Sequence, residues 1–210
     1  MSEISTSQSD LRRSERLPWK EPEGLGSVLK RWRSDSKFYH NIVFDLVLPA
    51  QAQKVMPFPQ DLEIGVKQAL LKRGIQELYS HQVEAYCLAS KATNVVIATP
   101  TASGKSFCYN LPILNDMVRD PHTRALYLFP TKALCRDQEQ SLRLLMRDAG
   151  LAHGAMTYDG DTPADARRAA RERGGVLLTN PDMLHSGILP HHASWARLFA
   201  NLKYVVIDEL

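Results

Sequence analysis

A chain of 210 residues, 44% hydrophobic and 23% charged, can bury the core of one sizeable globular domain with an extension, which excludes an intrinsically disordered protein. The formal net charge of +3 suits a nucleic-acid partner only where the excess is localised. Cys87, Cys108 and Cys135, odd in number and never in C-x-x-C spacing, argue against a disulfide framework or zinc site and fit a reducing cytoplasm, and no apolar run approaches the ~18 residues of a membrane span.

Residues 1–24 are rich in Ser, Arg, Glu and Pro, with only Leu11, Leu17 and Trp19 as larger apolar groups, and are expected to form a flexible tail. Residues 25–57 are expected to form an arm packed on the main domain. Within it LGSVLKRW reads as a short helix, and NIVFDLVL (41–48) as a strand or a buried helical turn, a choice its brief periodicity leaves open. Pro57-Phe58-Pro59 breaks the chain before the main domain, 58–210. Leu62, Val66, Ala69 and Leu70 recur at helical spacing up to a stop signal at Gly74, and a second helix is predicted from about His81 to Lys91.

From Asn94 the pattern is regular. Five apolar runs read as strands: NVVIAT (94–99), then 125–129, 154–158, 176–179 and 204–208. Helices are predicted between them over 106–119, 132–149, 163–173 and 194–200. Apolar strands without polar alternation are covered on both faces, and the intervening helices supply the cover. The expected fold is an α/β parallel sheet with right-handed crossovers and helices on both faces.

The first run feeds a loop, Thr99, Pro100, Thr101, Ala102, Ser103 and Gly104, and Lys105-Ser106 then opens a helix. Free N–H groups at a helix start converge on one point, where the helix dipole also favours negative charge. Lys105 is placed to reach the β- and γ-phosphates of a nucleotide, and the Ser106 hydroxyl to hold magnesium, so MgATP is the natural ligand. The Gly-Lys-Ser triplet alone is weak, and Thr99 stands where the strict G-x-x-x-x-G-K-[ST] pattern has glycine. The strand before it and the helix after it carry the reading.

Ligands of open α/β sheets sit at the carboxyl ends of the strands. The other runs end in Pro130-Thr131-Lys132, Asp159-Gly160-Asp161-Thr162, Asn180-Pro181-Asp182 and Asp208-Glu209. A strand-end aspartate such as Asp208 can hold magnesium through water, and Glu209 beside it can take a proton from the water attacking the γ-phosphate.

In order, YSHQ, ATPTASGKS, FPTKAL, YDGDT, TNPDML and VVIDEL resemble the motifs of the first RecA-like motor domain of superfamily-two DExD/H-box helicases, a P-loop NTPase fold. More narrowly the chain resembles the YprA-like group of DNA helicases. The resemblance implies an ATP hydrolase moving on nucleic acid, DNA before RNA, with Lys105 and Glu209 catalytic and Ser106 and Asp208 at the metal. It implies that Gln82, 23 residues before Lys105, reads the adenine edge, and that Phe58 stacks on the base. Pro130, Thr131, Lys132, Gly160, Thr179 and Asn180 match motifs that hold one nucleic-acid strand by its phosphates. Asp161 and Asp182 carry the wrong charge for phosphate and are expected to cap helices or turns.

Ala102 stands where many helicases have glycine. A left-handed backbone at Ala102 or Thr99 would cost ~1 to 2 kcal/mol. Arg167, Arg168, Arg171 and Arg173 read as a solvated helix face, with a nucleic-acid track as the rival, and Pro190-His191-His192 reads as a loop rather than a metal site. Family members continue past the acidic doublet into a strand that lies between it and the phosphate-loop strand, and then into a second RecA-like domain. Neither follows Leu210, so the sheet is expected to be incomplete at the C-terminus and residues 1–210 alone are not expected to unwind a duplex. A rival reading is a remnant that binds nucleotide or nucleic acid without turnover. A P-loop small-molecule kinase is disfavoured because it gives Gln82 no task.

Overall fold

The computed structural model describes residues 24–44, 46, 54–100 and 103–208. The chain divides into two units after residue 52. In the first, helix α1 (Gly24–Ser34) is followed by the short α2 (Ser36–Tyr39), whose start is capped by the Asp35 carboxylate accepting from the Lys37 N–H at 2.9 Å. Trp32 and Phe38 stack at 6.3 Å. The strand or buried turn expected at 41–48 is not found in the part described. Ile42, Val43 and Phe44 are irregular and exposed, while residues 45, 47 and 48 lie outside the described set. Apolar residues alone do not make a strand; a neighbouring strand must also take up the backbone hydrogen bonds.

The second unit opens with a two-residue strand, β1 (Val55–Met56). Helix α3 (Ile64–Lys72) buries Val66, Ala69 and Leu70 and stops before Gly74, whose φ of +75° suits glycine. Strand β2 (Leu78–Tyr79) pairs antiparallel with β1 and runs straight into α4 (Ser80–Ala89). Two residues per strand are too few for periodicity to show this ribbon.

The strand expected at 94–99 is corrected by the structure: residues 93–100 join no ladder, and Val96 is 96% exposed. Its residues are right for a strand, but no backbone among the described residues pairs with it. The chain then enters α5 (Lys105–Arg119), β3 (Arg124–Leu128), α6 (Lys132–Asp148), β4 (Gly154–Thr157), α7 (Ala164–Arg173) and β5 (Gly174–Thr179). A single turn, α8 (Pro181–Met183), leads through a π-turn and a 3₁₀ stretch to α9 (Ala196–Ala200) and β6 (Leu202–Ile207). The longer helices and strands lie where the apolar runs and helical spacings predict, with ends displaced by one or two residues, whereas α8 and the turns over 184–195 are not predicted.

Strands β3 to β6 form one parallel sheet in the order β4-β5-β3-β6. The central pair, β3 and β5, is buried at every position. Helices α3, α4, α5 and α6 cover one face around Tyr127, Leu178 and Val206. Helices α7 and α9 and the 3₁₀ stretch cover the other around Leu126, Leu177 and Trp195. This is the expected α/β sheet with helices on both faces. Cover thins at β6, which pairs with β3 on one side and turns Val205 and Ile207, 55% and 62% exposed, away from the core. No helix among the described residues is long and apolar enough to cross a membrane.

Candidate nucleotide and nucleic-acid site

Helix α5 begins at Gly104, whose φ of +75° is left-handed, and a Cβ there would meet the Gln82 amide nitrogen at 2.6 Å. The conformation calls for glycine, and a Cβ there would also displace the Gln82 amide. Upstream, Thr99 Oγ1 and Ser103 Oγ lie 2.7 Å apart and close the turn. The Lys105 ammonium folds back to donate to the carbonyls of Thr99 at 2.9 Å and Pro100 at 3.4 Å. Thr99 is not left-handed, so the strain considered there is absent. Thr101 and Ala102 lie outside the described residues.

The start of α4 grips this loop. Gln82, buried, accepts from the Tyr79 N–H through Oε1 and donates to the Gly104 carbonyl through Nε2, both at 2.9 Å. His81 Nε2 lies 3.1 Å from the Ser103 carbonyl, and its ring stacks on Tyr79 at 5.6 Å. Phe58 packs half-buried against the core with the Lys67 ammonium 5.9 Å above its ring.

The acidic end reaches the same helix turn through a residue that sequence reasoning missed. Asp208 follows β6 and donates its N–H to the Leu128 carbonyl at 3.0 Å. Its Oδ2 accepts from the Tyr109 hydroxyl at 2.9 Å. Tyr109 stands four residues after Lys105 on α5 and therefore on the same face. Burial pushes the Tyr109 phenol well above its usual range, a hydrogen bond with Ser106 works against the rise, and the Asp208 charge adds to it. An ammonium, two hydroxyls and a carboxylate thus gather around the loop. Hydroxyl and carboxylate oxygens suit a hard cation such as magnesium. Glu209 lies outside the described residues. The one sequence signal for Tyr109 is its place one helical turn beyond the Lys-Ser pair.

At the other strand ends most polar side chains serve the loops themselves. Thr131 accepts from the Leu134 N–H at 3.3 Å and caps α6, and Asn180 accepts from the Met183 N–H at 2.7 Å and caps α8. The buried Thr179 hydroxyl donates to the Tyr158 carbonyl at 2.7 Å. Asp159, also buried, turns its loop by accepting from the Asp161 N–H and the Thr162 hydroxyl, each at 2.9 Å. Arg167 clamps that loop through the carbonyls of Asp159, Gly160 and Thr162 at 3.2, 3.0 and 2.8 Å. Arg168 pairs with Glu172, so the arginines of α7 are not a uniform stripe.

Asp161 is an ion-pair partner rather than a cap: Lys132 donates to it at 2.8 Å and holds its carboxyl below the usual range, both side chains being exposed. Asp182 lies in the first turn of α8, which Asn180 caps. Pro130, Thr131, Lys132 and Gly160 make an exposed rim. Among the described residues no group of histidine, cysteine or carboxylate side chains is arranged for a metal, His191 and His192 included.

Residues 79–210 match the DEAD/DEAH box helicase family. Over 177 residues the chain is 49% identical to an uncharacterised ATP-dependent helicase, YprA, of Bacillus subtilis, covering 84% of this chain and 24% of that protein. The ATP-dependent helicase HRQ1 of Saccharomyces cerevisiae is 41% identical over 188 residues, 89% of this chain and 17% of its own length. A crystal structure of the DUF1998 helicase MrfA bound to DNA and AMPPNP superimposes with a TM-score of 0.74 at 50% identity, over 76% of this chain and 22% of that one. The chain therefore spans less than a quarter of the length of these relatives.

Proposed function

The chain belongs to the DEAD/DEAH box helicase family, and from that premise we propose that it is the N-terminal motor-domain part of an ATP-dependent DExH-type helicase acting on DNA. Loop 99–106 binds the triphosphate of ATP. Lys105 exchanges its bonds to the Thr99 and Pro100 carbonyls for bonds to the β- and γ-phosphates. Gln82 reads the adenine edge, for which an amide offers donor and acceptor together. Ser106 and Asp208 hold magnesium, which when bound neutralises charge on the phosphates. Glu209 takes the proton of the attacking water. Lys132 and the exposed rim at Pro130, Thr131 and Gly160 hold a DNA strand by its phosphates, without reading bases, with Asn180 beside them and the buried Thr179 fixing the loop from behind. A second RecA-like domain completes the ATP cleft in the whole protein.

The observation that carries this reading is the 2.9 Å bond from Tyr109 to Asp208, which ties the acidic strand end to the helix turn bearing Lys105 and Ser106. DNA-stimulated ATP hydrolysis by the whole protein, second RecA-like domain included, tests it. Lys105→Ala and Glu209→Gln are each expected to abolish the stimulation, with Glu209→Gln still binding nucleotide. Wild-type binding without hydrolysis would favour the remnant reading instead.

A further inference from the structure

We infer that Tyr109 is the positioning residue for the metal of the nucleotide site, setting the orientation of Asp208 so that a cation held at Ser106 finds the carboxylate already aimed. The inference rests on the MgATP reading above. Three observations carry it. The hydroxyl donates to one oxygen only, Oδ2 at 2.9 Å, and among the described residues no donor occupies Oδ1, which is left for a cation or its water. The ring cannot swing freely, because it meets Tyr127 edge-on at 5.3 Å and 87°, and Tyr127 is itself held by donating to Asn110 Oδ1 at 2.8 Å. Asp208 needs such a guide, because it follows a strand that among the described residues pairs on one side, with β3, and its own backbone N–H is held by the Leu128 carbonyl.

A ligand carboxylate loses rotational freedom when a neighbour hydrogen-bonds its second oxygen, and removing such outer partners typically weakens metal binding about 10- to 100-fold. Tyr109→Phe removes only the hydroxyl and keeps the packing on Tyr127. A merely structural tyrosine would leave the metal dependence of nucleotide binding unchanged in that variant.

The test is binding of a fluorescent ATP analogue to the full chain, first in EDTA and then across a magnesium titration. Tyr109→Phe is expected to bind as the wild type in EDTA but to need about 10-fold more magnesium for half-maximal tightening. Manganese binding in the presence of nucleotide, followed by electron paramagnetic resonance, shifts by the same factor. An unchanged magnesium midpoint overturns the inference. Asp208→Asn raises the midpoint as well, and Tyr109→Phe added to it changes nothing further, whereas additive effects would show that Tyr109 does not act through Asp208. An unmoved midpoint in Asp208→Asn also overturns the inference, since it removes the carboxylate from the metal's surroundings. Lys105→Ala separates the premise from the inference: nucleotide binding that survives it in EDTA overturns the site assignment itself.

Discussion

The Gln82 side chain has an amide that holds two backbone groups and still has capacity to spare. Oε1 has two lone pairs and Nε2 two hydrogens, so the bonds to the Tyr79 N–H and the Gly104 carbonyl leave one of each for a base edge. The amide orientation follows from its partners, one able only to donate and the other only to accept. On the proposed reading, Gln82 holds loop 99–106 to α4 and reads adenine at once. Gln82→Ala deletes a buried helix-start bond and a loop bond and is expected to cost about 1 to 3 kcal/mol, read as a lower urea midpoint with an unchanged slope. A midpoint that stays within error would show that the two bonds hold nothing. The spacing of Gln82 before Lys105 is visible in the sequence. Its backbone partners are not, because they depend on how α4 meets the loop in space, and Tyr109 escaped notice for the same reason.

At the scale of elements, helix α3 is held through a residue on α5. Asn115, buried, accepts from the Glu63 N–H at 2.7 Å, satisfying a donor at the start of α3, and its amide nitrogen donates to the Tyr86 hydroxyl at 2.9 Å and the Asp61 carbonyl at 3.4 Å. Burial, with Asp61 nearby, pushes the Tyr86 phenol up to about 12, so it stays neutral across the ordinary pH range and the network does not titrate there. Asn115→Leu keeps the volume but orphans these groups, and each buried group left without a partner costs about 1 to 3 kcal/mol. Denaturant unfolding is expected to show about 2 to 4 kcal/mol lost, and a change below about 0.5 kcal/mol would refute the account. The longer helices were legible from apolar residues at helical spacing, and the four parallel strands from unbroken apolar runs, which is what burial on both faces produces. Segment 94–99 was misread because composition cannot report whether a neighbouring strand exists. A sequence window around Asn115 likewise shows a polar residue inside a helix but not the α3 terminus it serves.

At the scale of the whole molecule, β4 and β6 are the outer strands of the sheet, and β6 is the more exposed of the two. Val205 and Ile207 leave an apolar strip on a strand whose outer edge has no ladder partner among the described residues. Exposed, flat, apolar edges of this kind template pairing between chains. A polypeptide of residues 1–210 is therefore expected to self-associate as its concentration rises, and a Val205→Lys, Ile207→Lys double variant to remain monomeric by light scattering with the same far-ultraviolet circular dichroism. A wild-type polypeptide that stays monomeric at millimolar concentration would refute this.

The same one-sided strand bears on the chemistry as well as on solubility. Asp208 is the first residue beyond β6, so a backbone that zips onto the edge left unpaired among the described residues is expected to damp the motion of that carboxylate. By thermodynamic reciprocity, a cation that prefers the stilled carboxylate must in turn favour the zipped border, and by the same factor. On the proposed reading, filling the nucleotide site and pairing the outer edge of β6 are then one coupled equilibrium.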